Sequence, residues 1–312
     1  MPRGSAAKLS SAINHKLTII IKKGRLLTSK MDTKKSILIT GCSTGIGLYT
    51  AQQLHKQGYQ VFASARASED VERLKQLGLN SLQLDLDDSL SIKNALIRIL
   101  NQTDGELYAL FNNGAYGLAG AVEDLSRDAL RAQFETNLFG TMELTNLVLP
   151  IMRKQGYGRI IQNSSVLGFA AMPYRGAYNS SKFALEGISD TLRQELDGTE
   201  IYVSIIEPGP IISDFRKNAL RAYKKYIDAE NSIHKAQYDS MLERLNKEGP
   251  AAPFTLGPDA VCEKVIDALE AKTPKIRYYV TKPTYILGYL KRMLSSRLMD
   301  RVLIKAGGGG KR

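Results

Sequence analysis

The feature that most limits what this chain can fold into is a switch of hydrophobic period that recurs along most of its length. From Ser36 onward, short apolar segments (SILIT, YQVFASA, SLQLDL, LYALF, RIIQNSS, YVSIIEP and IRYYV) alternate with longer stretches whose apolar residues recur at helical spacing. The helical stretches fall at about 46–57, 87–101, 127–154, 178–196 and 258–271. Continuous apolar strands are buried on both faces, and strand–helix–strand alternation makes successive strands parallel. The expectation is therefore α/β: a single domain over residues 32–283, with one parallel sheet wrapped by helices on both faces. Ligands of such sheets sit outside the carboxyl ends of the strands. The charged, helix-favouring insertion at 214–249 is expected to fold over that end, so that residues 214–257 form a substrate lid.

Charge separates the ends of the chain from its body. Residues 1–31 carry seven Lys/Arg and no acid, residues 272–312 carry eleven Lys/Arg and one acid, and the intervening body carries 25 basic and 30 acidic residues. Basic ends on an acidic body fit tails that touch anionic surfaces and argue against a nucleic-acid groove built into the fold. Residues 1–31 read as a flexible basic extension. The segment from Tyr285 to Lys305 reads as an amphipathic tail, suited to a membrane interface or to a sister subunit. No run reaches the roughly 18 apolar residues that a spanning helix needs. Cys42 and Cys262 have no paired spacing, so two reduced thiols in a cytoplasm-like compartment are expected. His15, His55 and His234 fall in no metal-ligand spacing, so no metal is expected.

The chemistry-bearing motifs lie at the predicted strand ends. Thr40-Gly41-Cys42-Ser43-Thr44-Gly45-Ile46-Gly47 joins the first strand to the first helix, where glycines permit a tight turn and helix N–H groups face a diphosphate. No Gly-Lys-Ser/Thr follows, which excludes a Walker loop. Strand two ends in Ser64-Ala65-Arg66, with a base where NAD-preferring folds place an acid. Arg66 can pair with a 2′-phosphate, which points to NADP(H). Asp85, with Leu86 beside it, is placed to meet the adenine, and Asn113 and Gly114 stand where small residues let a cofactor pass.

Tyr178 and Lys182 open a predicted helix and so share one face, one turn apart. An ammonium beside a phenol favours the phenolate. Tyr278 and Lys282 repeat the spacing, but in a predicted strand, where four residues span about 13 Å, they cannot act together. Ser165 ends a strand and is placed to steady a substrate oxygen; Ser164 is the near alternative, since alternation sends the two side chains opposite ways.

Together these segments resemble the short-chain dehydrogenase/reductase family, over roughly residues 36–215 and more loosely to about 283. The resemblance implies a Rossmann-type doubly wound parallel sheet of about seven strands and a catalytic tetrad of Asn137, Ser165, Tyr178 and Lys182. It also implies that Lys182 holds the nicotinamide ribose, that Pro208, Gly209 and Ile211 line the nicotinamide pocket, and that the chain is a homodimer or homotetramer. Two departures stand out: the family's Asn-Asn-Ala-Gly is Asn112-Asn113-Gly114-Ala115 here, and the Thr that often follows Pro-Gly is Ser213. The long insertion, Arg66 and the RYYV strand look most like the retinol, 17β-hydroxysteroid and long-chain aldehyde branch, which implies a bulky apolar carbonyl or alcohol substrate. A catalytically silent NADP(H)-binding sensor or scaffold is the rival reading, and the complete tetrad argues against it.

Overall fold

The computed structural model describes residues 13–19, 35–246, 249–250 and 252–307. Its centre is a seven-stranded, wholly parallel sheet in the order β3-β2-β1-β4-β5-β6-β7. The strands are β1 (Ser36–Ile39), β2 (Gln60–Ala65), β3 (Asn80–Gln83), β4 (Ala109–Asn112), β5 (Gly158–Asn163), β6 (Ile201–Glu207) and β7 (Arg277–Tyr279). Strand order reverses between β1 and β4, so a crevice opens at their carboxyl ends.

Alternation along each strand feeds two apolar layers. Leu38 enters one layer, with Ile92 and Leu96 of α4 (Ser89–Leu100), Leu144 and Val148 of α6 (Thr141–Gln155), and Leu192 of α7 (Gly176–Glu195). Ile37 and Ile39 enter the other, with Leu54 of α2 (Gly45–Lys56), Leu74 of α3 (Ser68–Gln76) and Val261 and Val265 of α10 (Asp259–Glu270). The sheet is thus covered on both faces, as its apolar strands require.

Local chemistry sets several boundaries. The Asp88 carboxylate accepts from the Leu90 N–H at 2.8 Å to start α4, and Ser126 accepts from Ala129 N–H to start α5 (Arg127–Phe134). The stretch 127–154, which reads as one helix in sequence, is interrupted by a π-helical turn at Glu135–Gly140. Its last residue packs closely: a Cβ on Gly140 would lie 1.9 Å from the Leu86 carbonyl oxygen.

The ends of the chain depart from the sequence expectation. Residues 13–19 lie in a helix, α1, whose Leu17 is buried in the core layer beside α4 and α6, so this part of the basic extension is docked. The rest of residues 1–31 lies outside the described residues. The C-terminal segment forms α11 (Lys282–Met293) and α12 (Ser296–Ala306), which fold back so that Leu287, Met299 and Leu303 pack on Val166 and Ala170. An apolar stripe at helical spacing found its partner on the body of the same chain. Tyr278 and Lys282 do not share a strand: β7 ends at Tyr279, and Lys282 opens α11. The Tyr278 hydroxyl is buried and accepts from the Lys275 N–H at 3.1 Å, which is a structural bond. Among the described residues no helix is long and apolar enough to cross a membrane.

Candidate active site

The Gly-rich turn at the crevice is built by close approach. Gly41 has φ +71°, and a Cβ there would lie 2.7 Å from the Gly114 Cα. A Cβ on Gly47 would lie 2.3 Å from the Gly41 carbonyl oxygen, so this third glycine packs on the turn itself. Gly45 faces Ser213, and Thr44 stands at the N-cap of α2 without a side-chain cap bond, which leaves the first-turn N–H groups to bind an anion. Ser43 and Ile46 flank this end of the helix.

Asn113 ties the turn to β5. Its amide donates to the carbonyls of Thr40 and Gly41 at 2.9 and 3.1 Å, and its side-chain oxygen accepts from Asn163 at 2.8 Å. The Thr40 hydroxyl accepts from the N–H groups of both Asn113 and Gly114. Gly114 is in tight contact with Leu86, whose side chain is buried, while the Asp85 carboxylate accepts from the Asp87 N–H. Asp88, and not Asp85, caps the following helix. Arg66 is exposed just beyond β2. Arg73 of α3 donates to the Ser43 carbonyl at 2.5 Å and pairs with Asp70 at 2.6 Å, which brings a guanidinium to the Gly-rich turn. Sequence reasoning missed it because α3 reaches that turn only through the packing of helix on sheet.

Tyr178 and Lys182 are both buried on one face of α7, and the Lys182 Nζ lies 5.9 Å from the Tyr178 ring centroid. Lys182 donates to the Asn163 carbonyl at 2.6 Å. Ser165 hydrogen-bonds the Tyr178 phenol, and its hydroxyl also accepts from the Leu167 N–H at 3.1 Å. Ser164 faces Glu186. The pair is divided as expected, but for another reason: β5 ends at Asn163, and Ser165 begins a 3-10 turn, Val166–Gly168. Asn137 sits in the π-helical turn, where its side chain accepts from the Tyr116 N–H and donates to the Tyr116 carbonyl and to the Ser181 hydroxyl. That clamp holds the loop after β4 against α7. The Pro208 carbonyl accepts from Val166 N–H at 2.8 Å, and a Cβ on Gly209 would strike the Thr281 hydroxyl. Ile211 forms an isolated bridge with Leu256.

Burial decides the proton states. It pushes the Tyr178 phenol up to about 12, against the lowering influence of the Ser165 bond. It pulls the Lys182 ammonium down to about 8, opposed by the charge of Glu186. The protein's own groups alone therefore hold the phenol above its ordinary value. Desolvation outweighs an ammonium that itself has lost hydration. The phenol is a proton donor in this state.

One turn beyond Lys182 lies a cluster absent from the sequence reading. Arg277 reaches Asp190 at 2.6 Å, Glu186 at 3.1 Å and Glu207 at 3.4 Å. Glu207 is 1% exposed, and burial, then the Glu186 charge, pushes its carboxyl well above the usual range. A carboxyl that binds its proton more tightly when folded costs stability as pH rises from its ordinary value toward its folded one. Glu207→Gln is accordingly expected to lose less stability between pH 5 and pH 8 than the parent, as measured by urea unfolding across that range.

The insertion forms α8 (Phe215–Tyr226) and α9 (Lys235–Asn246). Tyr238, Tyr223 and Ala219 share an apolar cluster with Leu118, Ala121 and Ala177, the last of which precedes Tyr178 on α7. Tyr238 donates to Asp124 and accepts from the Ala121 N–H at 2.9 Å, while the Phe215 ring meets the Tyr178 ring edge-on at 5.4 Å.

The profile of the short chain dehydrogenase family matches residues 35–224. This chain belongs to that family. The dehydrogenase is 43% identical over 282 residues to "Uncharacterized oxidoreductase YbbO" of Escherichia coli (strain K12), covering 90% of this chain and 98% of that protein. It is 32% identical to "17-beta-hydroxysteroid dehydrogenase type 1" of Homo sapiens, over 79% of this chain and 77% of that one. With "Retinol dehydrogenase 8" of Homo sapiens it shares 37% identity over 60% of this chain and 62% of the other. A short chain dehydrogenase/reductase from Burkholderia phymatum, solved in complex with NAD, superposes with a TM-score of 0.69 at 22% identity, over 83% of this chain and 92% of that chain, which shows a shared fold. The dehydrogenase is thus an oxidoreductase of a family whose solved members include NAD and NADP complexes.

Proposed function

We propose that this dehydrogenase uses NADP(H) and interconverts a carbonyl and an alcohol on a bulky apolar substrate. The observation that carries the reading is the convergence of the buried Ser165, Tyr178 and Lys182 side chains, with the Phe215 ring against Tyr178. The glycine cradle at Gly41, Gly45 and Gly47 and the uncapped end of α2 fit a dinucleotide diphosphate. When bound, the nicotinamide cofactor supplies or takes up the hydride. Ser165 and Tyr178 hold the substrate oxygen, and Tyr178 gives its proton to that oxygen as charge develops there. Lys182 secures the ribose side of the site, and Asn137 keeps the loop at Tyr116 in register with α7. Pro208, Gly209 and Ile211 line the nicotinamide side.

Arg66, exposed just beyond β2, and Arg73, which reaches the Gly-rich turn, support NADP(H), because a guanidinium there can pair with a 2′-phosphate. The apolar cluster of α8 and α9 and the names of the hydroxysteroid and retinol relatives support a large apolar substrate. The test is oxidation of NADPH, beside NADH, with retinal, long-chain aldehydes and ketosteroids. The expected result is turnover with NADPH preferred, and a fall of about tenfold or more in that preference in Arg66→Ser/Arg73→Ser. NADPH binding without turnover on any substrate would favour a sensor and overturn the enzyme reading.

A further inference from the structure

We propose that the face formed by α11 and the edge strand β7 docks on an anionic phospholipid surface, with the cavity between α10, β7 and α11 receiving a headgroup phosphate. Three observations meet on this face. The first is a cavity of about 320 Å³ whose lining includes Lys264, Lys275 and Arg292, with Asp267 as its one acid. None of those three cations forms an ion pair among the described residues, and Arg277, which also lines the cavity, is held by its three carboxylates. An anion is the ligand that such a pocket recognises.

The second observation is the apolar stripe beside it. Tyr285, Ile286, Tyr289 and Met293 recur at helical spacing along α11, and all are exposed, Tyr289 at 65% and Met293 at 79%. The opposite side of the helix is already spent: Leu287 packs on Val166 and Ala170, and Gly288 lies against the Tyr279 ring, where a Cβ would come within 2.6 Å. The exposed stripe therefore is not the face that holds the helix to the body. The Tyr279 and Tyr285 rings, edge-on at 5.3 Å, form a wall shared by the stripe and the cavity. Tyrosines at this position suit a boundary with one wet and one apolar side.

The third observation is charge. From 282 to 307 the chain carries Lys282, Lys291, Arg292, Arg297, Arg301 and Lys305 against the single acid Asp300. An apolar face bordered by cations matches the interface of an anionic membrane. A second copy of this chain is the less suitable occupant, because a self-complementary patch bordered by six cations and one acid offers its copy almost no carboxylate to pair with. The proposal is independent of the substrate assignment.

The test is co-sedimentation of the full chain with vesicles of phosphatidylcholine alone and of phosphatidylcholine mixed with phosphatidylglycerol. Binding to the mixed vesicles alone, weakened by added salt, is expected. Lys275→Glu/Arg292→Glu should lower that binding by about tenfold or more. Tyr289→Ser/Met293→Ser keeps every charge and should lower it similarly, which separates a docking face from general attraction by the basic ends. All four positions are exposed, and unchanged circular dichroism and unfolding midpoints verify that the variants fold. Full binding by either double variant would overturn the proposal, as would equal binding to both vesicle types or to neither. Stabilisation by inorganic phosphate without vesicle binding would reassign the cavity to a free anion, and a dimer lost in Tyr289→Ser/Met293→Ser would reassign the stripe to a sister subunit.

Discussion

Tyr178→Phe is expected to lower turnover by about 10²- to 10⁴-fold while leaving NADPH binding unchanged. The substitution removes one oxygen and keeps the ring, so the edge-on contact with Phe215 and the position of Lys182 over the ring survive. What goes is the proton donor and its bond to Ser165. Burial keeps the phenol protonated near neutral pH, and its bond to Ser165 sets it beside the other group that would hold the substrate oxygen, so Tyr178 is the donor placed to reach that oxygen. The cofactor cradle at Gly41 and Gly47 lies on separate elements and does not depend on that oxygen. Initial rates with NADPH, set beside a fluorescence titration of NADPH binding, check both halves. Activity within tenfold of the parent would remove Tyr178 from the proton-transfer role.

Arg277→Met is expected to destabilise the fold by about 3 kcal/mol or more, the scale for breaking a buried ion pair from one side. Met nearly fills the space but leaves Glu186 and Glu207, 9% and 1% exposed, without their guanidinium. Both carboxyls already sit above the usual range through burial, and the variant drives them further toward the neutral form. A carboxyl protonated in the folded state and ionised in the unfolded one lowers stability as pH rises. The gap between variant and parent should therefore widen from acid to alkaline pH. Unfolding midpoints at pH 5.5 and pH 8.5 measure it, and a gap that is constant or narrows toward alkaline pH would show that the three carboxylates do not depend on Arg277. Because Glu186 stands one helical turn from Lys182, the variant is also expected to alter the active site, unlike a distant core change of equal cost.

The α/β class and the positions of the chemistry were legible in the sequence because each rests on local chemistry. Apolar strands alternating with amphipathic helices leave a parallel sheet covered on both faces as the arrangement that buries both strand faces. Gly41 was legible as a turn because a positive φ is a property of a single residue. Tyr178 and Lys182 were legible because four residues on a helix is a local distance.

Tertiary packing decided the rest. The π-helical turn that holds Asn137 ends at Gly140, packed on Leu86 from a separate segment, and periodicity alone reads straight through it. Arg73 reaches Ser43, and Arg277 gathers Glu186, Asp190 and Glu207, only because separate helices and strands are stacked together. The tail at Leu287, Met299 and Leu303 had the pattern of a surface-seeking helix, and its amphipathicity could not say which surface, whereas the fold supplied Val166 and Ala170. The phenol's proton state was not legible for the same reason: spacing places an ammonium near Tyr178, but desolvation depends on everything packed around both groups. The sequence by itself determined the elements, their order and the residues able to do chemistry, since these follow from neighbours within a turn or a strand. Only the tertiary structure decided which distant charges meet, which apolar stripes are already covered and which protons are held, because burial is a property of the whole fold.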